Sequence, residues 1–114
     1  MFTTVVQFHL PSAISCAEAS KRFQGSAPKY KDKPGLIRKH YIVSEDGKVA
    51  GGIYHWKSRA DAERMYNDEW RAFVTSLYGV APVVQWFETP VIVDNVSGET
   101  IVASQGNAES RKAG

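Results

Sequence analysis

The stretch His40–Trp56, HYIVSEDGKVAGGIYHW, predicts a β-hairpin near the middle of the chain. Two β-rich runs flank the pair Asp46-Gly47, and such a pair between two strands is a strong hairpin signal. Glycine tolerates the positive φ that a type I′ turn requires. We therefore predict two antiparallel strands, Leu36–Val43 and Val49–Trp56, joined by a type I′ turn.

This hairpin decides which side chains share a face of the sheet, because successive residues of a strand point to opposite sides. With the pair at the turn centre, Lys39 lies opposite Tyr54. One face is then predicted to hold Ile37, Lys39, Tyr41, Val43, Ala50, Gly52, Tyr54 and Trp56. The other is predicted to hold Leu36, Arg38, His40, Ile42, Gly51, Ile53 and His55.

The segments before the hairpin predict a strand and a helix. Thr3–Leu10 is β-rich and stops at a proline, which favours a first strand. Ser15 and Glu18 form a capping box, so a helix should begin there. Gly25 and Pro28 predict a break or kink before that helix reaches its last turn.

The segments after the hairpin predict a second helix and a fourth strand. Ser58 followed by Asp61 marks a helix start, and an apolar stripe continues to Tyr78-Gly79. Val83–Phe87 favours a fourth strand, which is expected to continue beyond Pro90. Residues 1–95 are thus predicted to form one domain, and the polar residues 96–114 a flexible tail.

The predicted order β-α-β-β-α-β is that of an α+β, ferredoxin-like fold with a four-stranded antiparallel sheet and two helices on one face. The strands are apolar on both faces, and two helices cover only one of them. An uncovered apolar face is unstable in water, so we expect a second copy of the chain to cover it. The sequence therefore predicts a homodimer.

Composition excludes several classes of protein. The 114 residues carry a formal net charge of +2 from interspersed signs, which is not typical of a nucleic-acid-binding surface. Cys16 is the only cysteine, so an internal disulfide and a cysteine-based zinc cluster are excluded. No apolar run approaches the length of a membrane helix, and the N-terminus lacks the pattern of a signal peptide. We expect a soluble, cytoplasmic protein.

Several segments together resemble the YdhR-like monooxygenases of the dimeric α+β-barrel superfamily, which also includes the antibiotic-biosynthesis monooxygenases. The segments are PGLIRKHYIVSEDGKVAGGIYHW, SRADAERMY, EWRAF, YGVAP and WFETPVIVDN, and the likeness spans roughly residues 2–95. The resemblance implies a homodimer with facing sheets and a pocket between sheet and helices in each subunit. It also implies oxygenation of a small hydrophobic or aromatic substrate by molecular oxygen, without a metal or flavin cofactor.

The predicted site lies on the face that carries Lys39, where aromatic walls would suit a flat substrate and a lysine would stabilise its anion. We expect Lys39, Tyr54 and His40 to be catalytic. The predicted substrate-binding residues are Tyr41, Trp56, Tyr66 and Trp70. The alternative is that these aromatic side chains form an ordinary core with a lysine that reaches the surface.

Other residues carry weaker signals. His9, His40 and His55 are expected on one face, where they favour a polar interface lining over a metal site; no metal ligand is predicted. His40 and His55 are also possible general bases, because imidazole titrates near neutral pH. A helical asparagine and tryptophan serve some cofactor-free relatives, but the acidic neighbours of Asn67 suggest an exposed turn. Cys16 has no apparent catalytic partner.

Three functions remain open at this stage. The first is a cofactor-independent monooxygenase. The second is a non-catalytic small-ligand carrier or stress-associated dimer that uses the same pocket. The third is an isomerase or lyase, in which proton transfer by histidine or tyrosine replaces oxygen chemistry.

Overall fold

The hairpin lies at one side of a four-stranded antiparallel sheet in a computed structural model that describes residues 1–104 and 107–112. The elements in chain order are β1 Phe2–His9, α1 Cys16–Tyr30, β2 Leu36–Val43, β3 Val49–Trp56, α2 Arg59–Met65, α3 Asp68–Tyr78, β4 Val83–Glu88, β5 Val91–Asp94, β6 Glu99–Ser104 and β7 Asn107–Lys112. The first sheet has the order β2-β3-β1-β4, which confirms the ferredoxin-like topology with β3 between β2 and β1.

The helices cover one face of this sheet and create the core. Every second residue of β1 is buried beneath them: Phe2, Thr4, Val6 and Phe8. The ring of Phe8 stacks on that of Tyr78 from α3, with 4.2 Å between the ring centroids. We call this face the helix face and the opposite one the open face. No helix in residues 1–104 is long and apolar enough to cross a membrane.

The hairpin register is confirmed, but the predicted turn type is wrong. Lys39 lies opposite Tyr54, as expected. In the turn only Gly47 has a positive φ, 74°, whereas a type I′ turn requires one at Asp46 as well. The carboxylate of Asp46 instead accepts hydrogen bonds from the Ser44 hydroxyl and the Lys48 amide, which fixes a turn closed by the bond from Gly47 N to Ser44 O.

A β-bulge at the start of β2 corrects the predicted faces of two residues. The register shifts between Leu36 and Arg38, so the intervening residue is extra. Leu36 therefore packs against the core, while Ile37 lies on the open face with 48% of its surface exposed. Leu36 and Ile37 thus lie on the opposite faces from those predicted for them. From Arg38 onward the predicted faces are confirmed.

Both helical predictions need adjustment. Ser15 caps α1 as expected by accepting a hydrogen bond from the Glu18 amide, but no break occurs. The helix runs through Pro28 to Tyr30 because Tyr30 is buried beside the sheet and anchors the last turn. The single predicted second helix is divided into α2 and α3, since the side chain of Asn67 caps a new helix by accepting from the Trp70 amide.

The segment after Pro90 does not continue β4, and most of it is not the flexible tail predicted for residues 96–114. β5, β6 and β7 form a separate three-stranded antiparallel sheet. Within the expected tail, residues 99–104 form β6, which pairs with β5 over residues 99–102, because Thr100, Ile101 and Val102 suit a strand. The prediction for residues 105, 106, 113 and 114 lies outside the described part of the chain.

Candidate functional site

The side chain of Lys39 lies on the helix face between three tyrosine rings. Its Nζ is 3.4 Å from the ring centroid of Tyr30, 3.7 Å from that of Tyr41 and 4.6 Å from that of Tyr54. The rings are supplied by α1, β2 and β3, so three elements meet at one amine. We call these four residues the lysine cage.

Two opposing effects act on the charge of Lys39. Burial lowers the pKa of its amine from 10.5 to about 6, because a charge is poorly solvated inside the protein. The three ring faces favour the ammonium form through cation–π attraction. Among the side chains that the structure describes, no carboxylate lies within 4 Å of the amine. At neutral pH Lys39 is therefore mainly a free amine, and its surroundings can accommodate an added proton.

The phenols of the cage stay protonated. Burial raises the pKa of Tyr41, although a hydrogen bond with Ser26 opposes that shift. The pKa of Tyr54 is raised well above its ordinary value, again chiefly by burial. Both hydroxyls are consequently neutral hydrogen-bond donors, which can orient a ligand oxygen but cannot act as bases at neutral pH.

An open cleft reaches the lysine cage at the edge of the sheet. It lies between the end of α1 and β2, has a volume of about 370 Å³, and includes Tyr30, Lys39 and Tyr41 in its lining. We call it the β2-edge cleft. Inside the cage itself only about 10 Å³ is empty, which is the space of about one water molecule. A flat ligand therefore fits the cleft but not the closed cage.

Tyr41 lies between the cleft and the interior of the cage and is held by two contacts. Its ring stacks on Phe23 with 4.7 Å between centroids, and its hydroxyl hydrogen-bonds with Ser26 at 2.8 Å. The residue is only partly buried and also lines a second cavity of about 340 Å³ on the far side of its ring. Tyr41 thus lines both the cleft and the interior of the cage, as do Tyr30 and Lys39.

Three of the predicted substrate-binding residues are packed core side chains. Trp56, Tyr66 and Trp70 are 0%, 6% and 4% exposed. The Trp56 indole donates to Thr4 Oγ1 at 3.0 Å, and that oxygen is 2.5 Å from the Tyr66 hydroxyl. The Trp70 indole donates to the Tyr30 hydroxyl at 3.1 Å. These residues support the cage from behind, as the core alternative anticipated.

The predicted catalytic residues do not all come together. Lys39 and Tyr54 share the cage, whereas His40 follows Lys39 along the strand and so lies on the open face, with the sheet between them. Joint action of His40 with Lys39 is thus excluded by the geometry. Sequence reasoning missed Tyr30 as a cage residue because the predicted break at Pro28 removed it from the helix.

The three histidines share the open face but do not converge. His55 lies beside Thr3, and His9 is at the opposite end of the same strand as Thr3. Within the described residues, no group of three or more histidine, cysteine, aspartate or glutamate side chains could hold a metal ion. Cys16 is exposed at the start of α1.

Solved structures with the same fold include several oxygenases. A monooxygenase of Streptomyces coelicolor in complex with nanaomycin D is 20% identical, with a TM-score of 0.61 over 77% of this chain and 86% of that one. SnoaB, a cofactor-independent oxygenase from Streptomyces nogalater, is 20% identical, with a TM-score of 0.58 over 77% and 91%. A conserved protein from Methanosarcina mazei is 9% identical, with a TM-score of 0.57 over 77% and 91%. At these identities the likeness shows the fold.

No curated protein matches the chain at a significant level. The family model described as "Putative mono-oxygenase ydhR" matches residues 5–88. That range runs from Val5 within β1 to the end of β4, and it includes both strands of the hairpin and all four residues of the lysine cage. The chain therefore belongs to the ydhR mono-oxygenase family.

Proposed function

We propose that the protein is a cofactor-independent monooxygenase that binds a small aromatic substrate with an acidic hydrogen in the β2-edge cleft. The observation that carries this proposal is the lysine cage. A free amine with a lowered pKa lies among aromatic faces at the base of a substrate-sized cleft. Membership of a mono-oxygenase family and the oxygenases among its structural relatives support the same chemistry.

In the proposed reaction Lys39 acts as a base. The amine takes a proton from the substrate, and the resulting ammonium ion stabilises the substrate anion beside it. Lys39 is therefore not a permanent positive charge in this reaction. It becomes positively charged only at the moment when the substrate becomes an anion. The electron-rich anion then reacts with oxygen: a ring methylene loses two hydrogens and gains one oxygen atom, and the second oxygen atom leaves as water.

The other cage residues would bind and orient the substrate. Tyr41 would stack on the substrate after rotating from its position, and Tyr54 would donate a hydrogen bond to the developing oxyanion. Trp56, Tyr66 and Trp70 would hold these groups in place from the core. His40 has no role at this site, because it lies on the opposite face.

We also propose that the protein is a cytoplasmic homodimer. Large apolar side chains remain exposed on the open face, among them Val83 and Phe87 of β4 at 48% and 47%. Val91 and Val93 of β5 are exposed by 52% and 66%. An apolar surface of this kind favours burial against a second copy of the chain.

The proposal is tested by oxygen uptake with anthrone, whose ring methylene has an acidic hydrogen. Lys39→Met should lower kcat at least about 100-fold, because removal of a general base typically costs that much. Lys21→Met, which changes an exposed lysine of α1, should leave the rate unchanged. The value of kcat/KM should rise with pH and reach half its maximum near pH 6, since the amine is active when unprotonated.

Two results would contradict the proposal in different ways. Activity that falls as pH rises through 6 would mean that the charged lysine, and not the free amine, is required. Turnover that continues without oxygen would favour the isomerase or lyase.

A second candidate function is a non-catalytic carrier. The cage has only about 10 Å³ of empty space, so a ligand would stay in the cleft, and binding there without reaction is the behaviour of a carrier. Tight anthrone binding without oxygen uptake would establish that function instead.

A further inference from the structure

A second cavity lies beside the β2-edge cleft, on the same side of the sheet as the lysine cage. It has a volume of about 340 Å³ and lies between α1 and β2, with five lining residues from the helix and two from the strand. We call it the α1 cavity. None of its lining residues lies on the open face, which we give to the second copy of the chain.

The α1 cavity is adjacent to the β2-edge cleft, because Ala27 and Tyr41 line both spaces. On α1 the lining residues recur every three or four positions from Cys16 to Tyr30, a distance of about 21 Å along the helix axis. Residues at this spacing share one face of a helix. The two spaces therefore lie along one groove between α1 and the edge strand β2, and each has the size of a small-ligand site.

The two spaces differ in charge. Four charged side chains line the β2-edge cleft, among them Lys39. Among the residues that the structure describes, no charged side chain lines the α1 cavity. Its two polar amide and hydroxyl side chains pair with each other, since Gln24 Nε2 donates to Ser20 Oγ at 3.0 Å. The rest of its wall is largely apolar and includes Phe23 and Val43. The cleft thus suits the acidic end of a ligand, and the α1 cavity suits an uncharged, apolar end.

We propose that the α1 cavity binds an apolar substituent of the substrate whose acidic ring lies in the β2-edge cleft. This inference rests on the proposed function for the position of the ring, and it names a substrate class: an acidic aromatic ring that carries a hydrocarbon chain. The chain passes Ala27, whose side chain is a single methyl group, and extends toward Val43. Tyr41 and Val43 are about 7 Å apart along β2, a distance that a chain of about six carbon atoms spans.

The probes are 2-naphthol and 6-hexyl-2-naphthol, which share an acidic hydroxyl group and lack the ring methylene that the proposed reaction oxidises. Calorimetry should show at least about tenfold tighter binding of the hexyl compound, because each fully buried methylene strengthens binding by about fourfold. A third probe, 6-(5-carboxypentyl)-2-naphthol, has a chain of similar length with a charged end. It should bind no better than 2-naphthol.

One substitution tests the wall of the α1 cavity. Gln24→Glu adds a charge there without a change of size, so it should weaken binding of the hexyl compound by about three- to tenfold and leave that of 2-naphthol unchanged. Ala72→Glu adds the same charge at an exposed position of α3 and should change neither affinity.

The only cysteine of the chain reports where the hexyl group lies, because Cys16 is exposed and lines the α1 cavity. Saturating 6-hexyl-2-naphthol should slow alkylation of Cys16 by iodoacetamide severalfold, whereas saturating 2-naphthol should not. Equal affinities of the two naphthols, no binding of the hexyl compound, or tight binding that leaves alkylation unchanged would each overturn the inference. Oxygen uptake with anthrone is measured separately. If it is absent, the oxygenase proposal fails while the binding results still decide this inference; if it is present and the two naphthols bind equally, only this inference fails.

Discussion

Replacing Lys39 with methionine should stabilise the protein, although it removes a group that we place in the active site. In the unfolded chain the amine is charged below pH 10.5, whereas in the folded protein burial lowers its pKa to about 6. At pH 7.5 the amine must therefore lose its proton when the chain folds, although this pH is about three units below the pKa of the amine in the unfolded chain. That costs about 4 kcal/mol, at about 1.4 kcal/mol per unit. Methionine has a similar length and no charge.

The gain in the free energy of unfolding should be between about 2 and 4 kcal/mol at pH 7.5, because the amine also makes contacts with the rings that methionine replaces only in part. The gain should depend on pH in a definite direction. Between pH 6 and 10.5 the Lys39 amine carries a proton in the unfolded wild type but not in the folded wild type. A rise in pH therefore disfavours the unfolded state, so the wild type becomes more stable and the advantage of the variant shrinks. From pH 6.5 to 8.5 the advantage should fall by about 3 kcal/mol.

Urea denaturation of the wild type, Lys39→Met and Lys21→Met at pH 6.5, 7.5 and 8.5 measures both quantities. Lys21 is exposed on α1, so its replacement should change neither the stability nor its pH dependence. A Lys39→Met variant that is less stable than the wild type, or more stable by the same amount at every pH, would refute the reasoning. The lysine would then be charged in the folded protein and favoured by the cage.

The remaining predictions concern the core, the hairpin and the dimer. Thr4→Val should lower the free energy of unfolding by about 2–4 kcal/mol in urea, because it leaves a buried indole N–H and a buried phenol without their shared partner. Gly51→Ala should lower the melting temperature strongly, since its new Cβ would overlap a backbone oxygen of β1, whereas Gly25→Ala in open space on α1 should raise it slightly. Sedimentation at micromolar concentration should show a wild-type dimer and a Phe87→Glu monomer; a monomeric wild type would contradict the proposed interface.

The sequence predicted the elements whose signals are local and strong. β2 and β3 begin and end as expected, and Ser15 and Ser58 cap their helices, because strand alternation and capping depend on neighbouring residues. The division of the second helix escaped prediction because the apolar stripe continues past Asn67. The strand β6 escaped because a polar composition outweighed its three β-prone residues.

The candidate site was predicted only in part, for a physical reason. Register alone places Lys39 opposite Tyr54, so that pair could be found from the hairpin. Tyr30 reaches the same amine only because α1 passes through Pro28, where local preference predicts a break and tertiary packing prevails. The separate sheet formed by β5, β6 and β7 follows no pattern that the sequence made visible, because its strands are short and polar residues surround them.

The bulge at the start of β2 gives the molecule one point of tolerance to a change in length. Leu36 pairs with Trp56 and Arg38 pairs with His55, so the partners of these two residues are consecutive while the residues themselves are not. Deletion of Ile37 would join them into an uninterrupted ladder and leave the orientation of every later side chain unchanged. A deletion farther along the strand would instead exchange Arg38 or Lys39 between the two faces. Within β2, deletion of Ile37 is therefore the shortening that keeps every later side chain on its own face of the sheet.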